Sequence, residues 1–156
     1  MGKPRRDRRS GNWCVVHVTN RVIEGLPFVA RRSVKEVILG ILARAQSKHP
    51  MNICGFLFMG NHYHMILAGK AHHLSPFMNF IDGEIAKSFQ RLTGRYKGKF
   101  WKDEFKEQKL ATPLDVVRMM AYMYGNPTKA GLVRHPKDYP GLSSFGLGLR
   151  NLLSVK

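Results

Sequence analysis

Two apolar runs of strand length, "NICGFLFM" at 52–59 and "HYHMILAG" at 62–69, are separated only by Gly60 and Asn61. Gly-Asn supplies the backbone freedom of a tight two-residue connection, so the pair predicts a β-hairpin. Everything else in the chain must pack around that hairpin. Its second arm is also the place where two histidines, His62 and His64, interrupt an apolar pattern.

The flanking segments alternate between strand and helix patterns. "WCVVHVT" at 13–19 is a β-branched run of strand length. "SVKEVILGILARAQSKHP" predicts a helix, with Ser33 and Glu36 at capping-box spacing and Val34, Val37, Ile38, Ile41, Leu42 and Ala45 on one face, closed by His49 and Pro50. "SPFMNFIDGEIAKSFQRLTG" predicts a second helix, capped by Ser75, carrying Phe77, Ile81, Ile85 and Phe89 at four-residue spacing, and stopped by Gly94. "GKFWKDEFKEQKL" reads as an edge strand or ribbon. "TPLDVVRMMAYMYGNP" reads as a third helix, with Thr112 as cap, Pro113 at its first position and Asn126-Pro127 at its end. From about Ala130 onward the pattern is uninformative.

Strand, helix, strand, strand, helix, strand, helix is a split βαβ order. It predicts an α+β fold of the ferredoxin-like or RRM-like kind: an antiparallel sheet with helices on one face, the other face free for a ligand, and an added C-terminal helix. The expected organisation is a basic arm over 1–12, one domain over 13–145 and a short tail over 146–156.

Twenty-six Lys and Arg against ten Asp and Glu give a net charge of +16. Such an excess favours a polyanion, and nucleic acid fits best because neutralised phosphates release counterions. No apolar run reaches the roughly 20 residues of a membrane span, and the basic N-terminus lacks the apolar core of a secretory signal. Cys14 and Cys54 have no metal or redox spacing and are expected as reduced core residues. The expected location is cytoplasmic, in a bacterium, and nucleoid-associated.

On a strand, His62, His64, Ile66 and Ala68 share one face, and Tyr63, Met65 and Leu67 share the other. The second set is the better core face, so both imidazoles point away from it, roughly 6 to 7 Å apart at the backbone. Two histidines are costly to desolvate without a shared purpose, yet H-x-H alone is a short pattern and needs a second element. The third helix offers one. At about 100° per residue Asp115, Arg118 and Asn126 fall on the side of Tyr122, whereas Tyr124 falls with Val117 and Met120. Tyr122 thus lies on a polar stripe and Tyr124 on the buried one. A tyrosine hydroxyl attacking a phosphodiester needs a cation to stabilise the charge that develops. His62 and His64 could hold a divalent ion, with Asn126 adding an oxygen ligand one helical turn beyond Tyr122. Such a donor set suits Mg²⁺ or Mn²⁺, although its nitrogens would also accept Zn²⁺.

"GNHYHMIL" resembles the histidine, hydrophobe, histidine signature of the HUH single-strand nucleases, and "YMYGNPTKAGLV" resembles the tyrosine block of their single-tyrosine transposase branch. Within that branch the chain resembles the REP-associated tyrosine transposases, relatives of the transposases of the smallest insertion sequences. The resemblance spans "HVTNR" at 17–21 to "YP" at 139–140. It implies a metal on His62 and His64, Tyr122 as nucleophile and Asn126 completing the site. It further implies cleavage of single-stranded DNA near an imperfect hairpin, leaving a 5′-phosphotyrosine and a free 3′-hydroxyl. Where the family often continues Tyr-Pro-Trp-Ser-Ser, this chain reads Tyr139-Pro140-Gly141-Leu142-Ser143-Ser144.

Expected DNA contacts are Arg5, Arg6, Arg8 and Arg9 in the arm, then Arg21, Arg91, Arg95, Lys97 and Lys102, the last of these close to Phe100 and Trp101, which could stack on bases. His17 shares strand parity with Thr19 and, in the expected strand order, lies beside the "HYH" strand. His72 and His73 read as solvated loop residues. Two other readings stay open at this point: a non-catalytic nucleic-acid-binding module on the same scaffold, and a replication initiator or relaxase using the same chemistry. Either a monomer or a homodimer satisfies the sequence.

Overall fold

The computed structural model describes residues 11–23, 31–94 and 98–145. In chain order they form β1 (Trp13–Arg21), α1 (Arg32–Lys48), β2 (Met51–Phe58), β3 (His62–Lys70), α2 (Leu74–Thr93), β4 (Lys106–Lys109), α3 (Pro113–Lys129) and β5 (Leu142–Ser143). The strands make one antiparallel sheet of order β4-β1-β3-β2-β5. Its first four strands have the ferredoxin-like order, and the predicted hairpin is its centre. The expected arm and tail lie outside the described residues, apart from Gly11 and Asn12.

Alternation along β3 divides its side chains between two apolar layers. Tyr63, Met65 and Leu67 meet Ile38, Ile41, Phe77, Ile81 and Ile85 of α1 and α2 in the larger core. Ile66 faces the opposite way and meets Leu57, Leu110 and Met123 in a smaller one. The face expected to be free is therefore partly covered by α3. Helices α1 and α2, which follow β1 and β3, sit together on the other side.

Several local expectations need correction. No side-chain cap begins α1: Arg31 occupies the cap position, and Glu36 pairs with Arg32 at 3.0 Å instead of folding back on the helix start. Val37 is exposed. Ser75 does not cap α2, because a 3-10 turn over Ala71–His73 runs directly into the helix and leaves Ser75 inside its first turn. Gly94 does end α2, with φ of 67°. The edge strand is shorter than "GKFWKDEFKEQKL", although Trp101 makes an isolated bridge to Val22. Cys14 and Cys54 are free thiols, half-buried at the margins of the two cores.

Thr112 caps α3 as expected, reciprocally with Asp115. The helix does not stop at Asn126-Pro127, however, but continues to Lys129 with Pro127 buried inside it. Proline has no N–H for the carbonyl of Met123, four residues back. The side-chain Nδ2 of Asn126 donates to that carbonyl at 3.4 Å and to the Tyr122 carbonyl at 3.2 Å, and so replaces the missing donor. Val117, expected on the buried stripe, is 62% exposed, since the fully buried residues of α3, Met123 and Pro127, both lie in its C-terminal half.

The C-terminal stretch also has structure that its sequence does not announce. Leu142 and Ser143 pair with β2, and buried Ser144 is a hub. Its Oγ accepts from Phe56 N at 2.8 Å, donates to Phe56 O at 3.1 Å, and lies 2.7 Å from the Tyr124 hydroxyl. Tyr139 donates to Phe58 O at 2.9 Å. These bonds tie the segment and α3 to β2. Gly55 lies beneath: a Cβ there would sit 2.8 Å from Tyr124 Oη and 3.1 Å from Met123 Cε.

On the other face Asp82 of α2 accepts from Tyr63 Oη at 2.7 Å and from Asn20 Nδ2 at 2.9 Å, while its backbone carbonyl accepts from Trp101 Nε1 at 2.9 Å. One residue thus joins β1, β3, α2 and the segment leading to β4. Burial pushes its carboxyl from 3.8 up to about 6, against the two side-chain hydrogen bonds, which pull it down.

Two outcomes follow. Gly55→Ala should cost about 1–3 kcal/mol through overpacking, and Tyr124→Phe in the same chain, which removes the clashing oxygen, should recover part of the loss in urea unfolding. A carboxyl with a raised native pKa favours the folded state while protonated, an advantage present below the unfolded value and lost as pH rises through the native one. Wild-type stability relative to Asp82→Asn should therefore fall between about pH 4 and about pH 6. Subtracting the two urea curves at each pH cancels the histidines common to both proteins.

Candidate active site

The antiparallel register of β1 and β3 sets Thr19 opposite His64, His17 opposite Ile66 and Arg21 opposite His62. His62 and His64 share a face as strand parity requires, with ring centroids 5.1 Å apart. His17, from the neighbouring strand, points into the same region. Its Nε2 and His64 Nδ1 share a hydrogen bond of 3.0 Å. His62 Nδ1 donates to Asn61 Oδ1 at 2.8 Å. Both His17 and His64 are buried, and His62 is half-buried.

Burial disfavours the charged imidazole. It brings His64 down to about 3, with His62 and His17 adding to the effect. Burial also lowers His62, helped by the Arg21 guanidinium, and it lowers His17. All three rings are therefore neutral at pH 7, the state in which a histidine can coordinate a metal.

Helix α3 brings the tyrosine. The Tyr122 ring stands edge-on to His64, with centroids 6.2 Å apart, and is 49% exposed. Tyr124 is half-buried and bound to Ser144. The two tyrosines separate as the helical projection predicts. Lys129, on the next turns of the same helix, sets its Nζ 5.6 Å from the centre of the Tyr122 ring.

Among the described residues no group of three or more His, Cys, Asp or Glu side chains is placed to hold a metal. A metal held by His62 and His64 would draw any further ligand among the described residues from another residue type. The hydrogen bonds of Asn126 occupy its Nδ2 and leave its Oδ1 as the oxygen able to serve. The donor chemistry of neutral ring nitrogens and one amide oxygen fits a divalent cation.

Among the described residues, the expected basic contacts Arg21, Lys102 and Arg91 do not gather at one place. Arg21 is exposed at the end of β1 beside His62, and the backbone of Lys102 is tied to it by a 2.8 Å bond from Lys102 N to Arg21 O. Arg91 lies in the last turn of α2, the helix packed on the opposite face. Arg5, Arg6, Arg8, Arg9, Arg95 and Lys97 fall outside the described residues. His72 lies exposed and His73 half-buried in the turn before α2. Asn61 and Lys129 are the site neighbours that the sequence motifs did not single out. Asn61 is adjacent to His62 in the hairpin turn, and Lys129 lies seven residues beyond Tyr122, so helical spacing alone could have found it.

No helix among the described residues is long and apolar enough to cross a membrane. A comparison with curated proteins finds no match. Among solved structures, the chain is similar to a REP-associated tyrosine transposase bound to a REP hairpin, at 21% identity and a TM-score of 0.74, over 99% of this chain and 90% of that one. It is also similar to a protein of Deinococcus radiodurans solved as a candidate transposase, at 14% identity and a TM-score of 0.51, over 78% of this chain and 95% of that one. At these identities the likeness establishes a shared fold. A family model described as Transposase IS200 like matches residues 13–120, a span that contains His17, His62 and His64 and ends just before Tyr122. With well over half of its length matched, the chain belongs to the family of IS200-like transposases.

Proposed function

We propose that this protein cuts and rejoins single-stranded DNA beside a hairpin, with Tyr122 as nucleophile and His62, His64 and Asn126 as ligands of Mg²⁺ or Mn²⁺. One observation carries the reading: the Tyr122 ring lies edge-on to His64 at 6.2 Å, so two motifs far apart in sequence meet at one point. Family membership supports a nuclease and strand-transfer role. The REP hairpin bound by the structurally similar transposase supports a hairpin substrate, and the net charge of +16 supports a polyanionic one.

In the reaction Tyr122 Oη attacks the scissile phosphorus and gives up its proton. The bond from phosphorus to the 3′-oxygen breaks, and that oxygen takes up a proton, leaving a 3′-hydroxyl and a 5′-phosphotyrosine. Attack by another 3′-hydroxyl reverses these bond changes and rejoins DNA without a nucleotide cofactor. When bound, the divalent cation supplies charge stabilisation at the phosphate oxygens. His62 and His64 offer it neutral nitrogens, and Asn126 offers Oδ1. Lys129, beside the Tyr122 ring, places a second positive charge near the incoming phosphate. Arg21 flanks His62 and can pair with the phosphodiester backbone.

A denaturing gel with single-stranded hairpin DNA and Mn²⁺ should show a covalent adduct with wild-type protein and with Tyr124→Phe, and none with Tyr122→Phe. An adduct that persists in Tyr122→Phe, or is lost only in Tyr124→Phe, overturns the nucleophile assignment. His62→Ala should lower the cleavage rate by roughly 100-fold or more, and EDTA should abolish cleavage. Hairpin binding should persist in both cases and weaken steeply with salt. If cleavage survives EDTA unchanged, the metal assignment fails.

A further inference from the structure

Two hydrogen bonds in the histidine cleft have no part in the chemistry above, and both end on a ring nitrogen of an assigned ligand. A neutral imidazole carries one N–H and one lone pair, and only the lone pair can bind a metal. Whatever fixes the tautomer therefore decides whether the histidine can be a ligand from the cleft side.

For His62 the partner is unambiguous. Asn61 Oδ1 can only accept, so the 2.8 Å contact places the proton on His62 Nδ1 and leaves Nε2 with its lone pair. For His64 the 3.0 Å contact between its Nδ1 and His17 Nε2 admits two arrangements. With the proton on His17, neutral His64 must carry its own proton on Nε2 and is closed to a metal from that side. With the proton on His64 Nδ1, His17 accepts through Nε2 and His64 Nε2 is open. The interplanar angle of 11° lets the N–H of one ring lie in the plane of the other's lone pair, as such a bond requires.

We propose that Asn61 and His17 are positioning residues that take the Nδ1 protons of His62 and His64, so that both histidines present Nε2 to the same ion. The inference rests on the metal role assigned to His62 and His64. It makes His17 an outer partner of the site and not a third ligand, because its Nε2 is spent on His64. Outer hydrogen bonds of this kind orient metal-binding histidines and set their basicity. One partner comes from the hairpin turn and the other from the adjacent strand, so two different neighbours hold the two histidines in the same tautomer.

The test has two arms. Long-range ¹H–¹⁵N correlation spectra of metal-free wild-type protein, labelled at histidine, should show His62 and His64 as Nδ1–H tautomers; an Nε2–H tautomer at His64 overturns the proposal. Calorimetric titration with Mn²⁺ should show affinity reduced roughly 10- to 100-fold in His17→Phe and in Asn61→Ala. It should be largely restored in His17→Gln, whose amide oxygen can accept from His64. Affinities equal to wild type in His17→Phe and Asn61→Ala overturn it, as does a Mn²⁺ electron-spin-echo signal from three coordinated imidazoles that falls to two in His17→Phe. Wild-type protein that shows both Nδ1–H tautomers but binds no Mn²⁺ supports the hydrogen-bond assignment and sinks the metal chemistry of the proposed function instead. Thermal melts of the three variants separate lost affinity from lost fold.

Discussion

Strand β3 is hydrogen-bonded along both of its edges, to β1 on one side and β2 on the other, and the rest of the molecule depends on that double pairing. A strand held on both edges cannot slip, because a shift of one residue would exchange its two faces. Tyr63, Met65 and Leu67 are thereby committed to the core under α1 and α2, and His62, His64 and Ile66 to the side of α3. The same pairing brings His17 against His64 and Arg21 beside His62. Asp82 reinforces it from below, since Tyr63 and Asn20, adjacent across the two strands, both donate to its carboxylate.

The second constraint is the attachment of α3. Its nucleophile candidate is useful only if the helix stands at a fixed distance from β3, and that distance is set by neighbours of Tyr122 on the other side of the helix. Met123 fills the smaller core, Tyr124 is bound to Ser144, and Gly55 provides the room for both. Asn126 stands at the join of both. Its Nδ2 repairs the gap that Pro127 leaves in the helix, and the same side chain carries the Oδ1 proposed as a metal ligand.

These two constraints explain why certain expectations failed. Asn126-Pro127 was read as a stop because proline pushes the residue before it out of the helical region; here the helix runs on, Asn126 supplies the donor that Pro127 lacks, and only its rotamer reveals the repair. Ser33 was read as a cap from its spacing to Glu36 and Ser75 as the serine ahead of Pro76, but Glu36 prefers Arg32 and the chain enters α2 through a 3-10 turn. Val117 obeyed the helical projection and still lies exposed, because a projection gives a direction on the helix and not how far the partner surface extends. The fifth strand has only two residues, too short for any periodicity to announce it.

By itself the sequence determined the order of elements from β1 to α3, the face of β3 on which the histidines lie and the separation of Tyr122 from Tyr124, since each follows from a local period of two or 3.6 residues. Its motifs also carried the family resemblance, which the family model bears out over residues 13–120. Only the tertiary structure decided that His17 bonds His64, that Asn61 engages His62, that Lys129 stands over Tyr122 and that Asp82 joins four segments. Most of these contacts join residues on different elements, and all depend on rotamers and hydrogen-bond direction. Periodicity carries neither; packing supplies both.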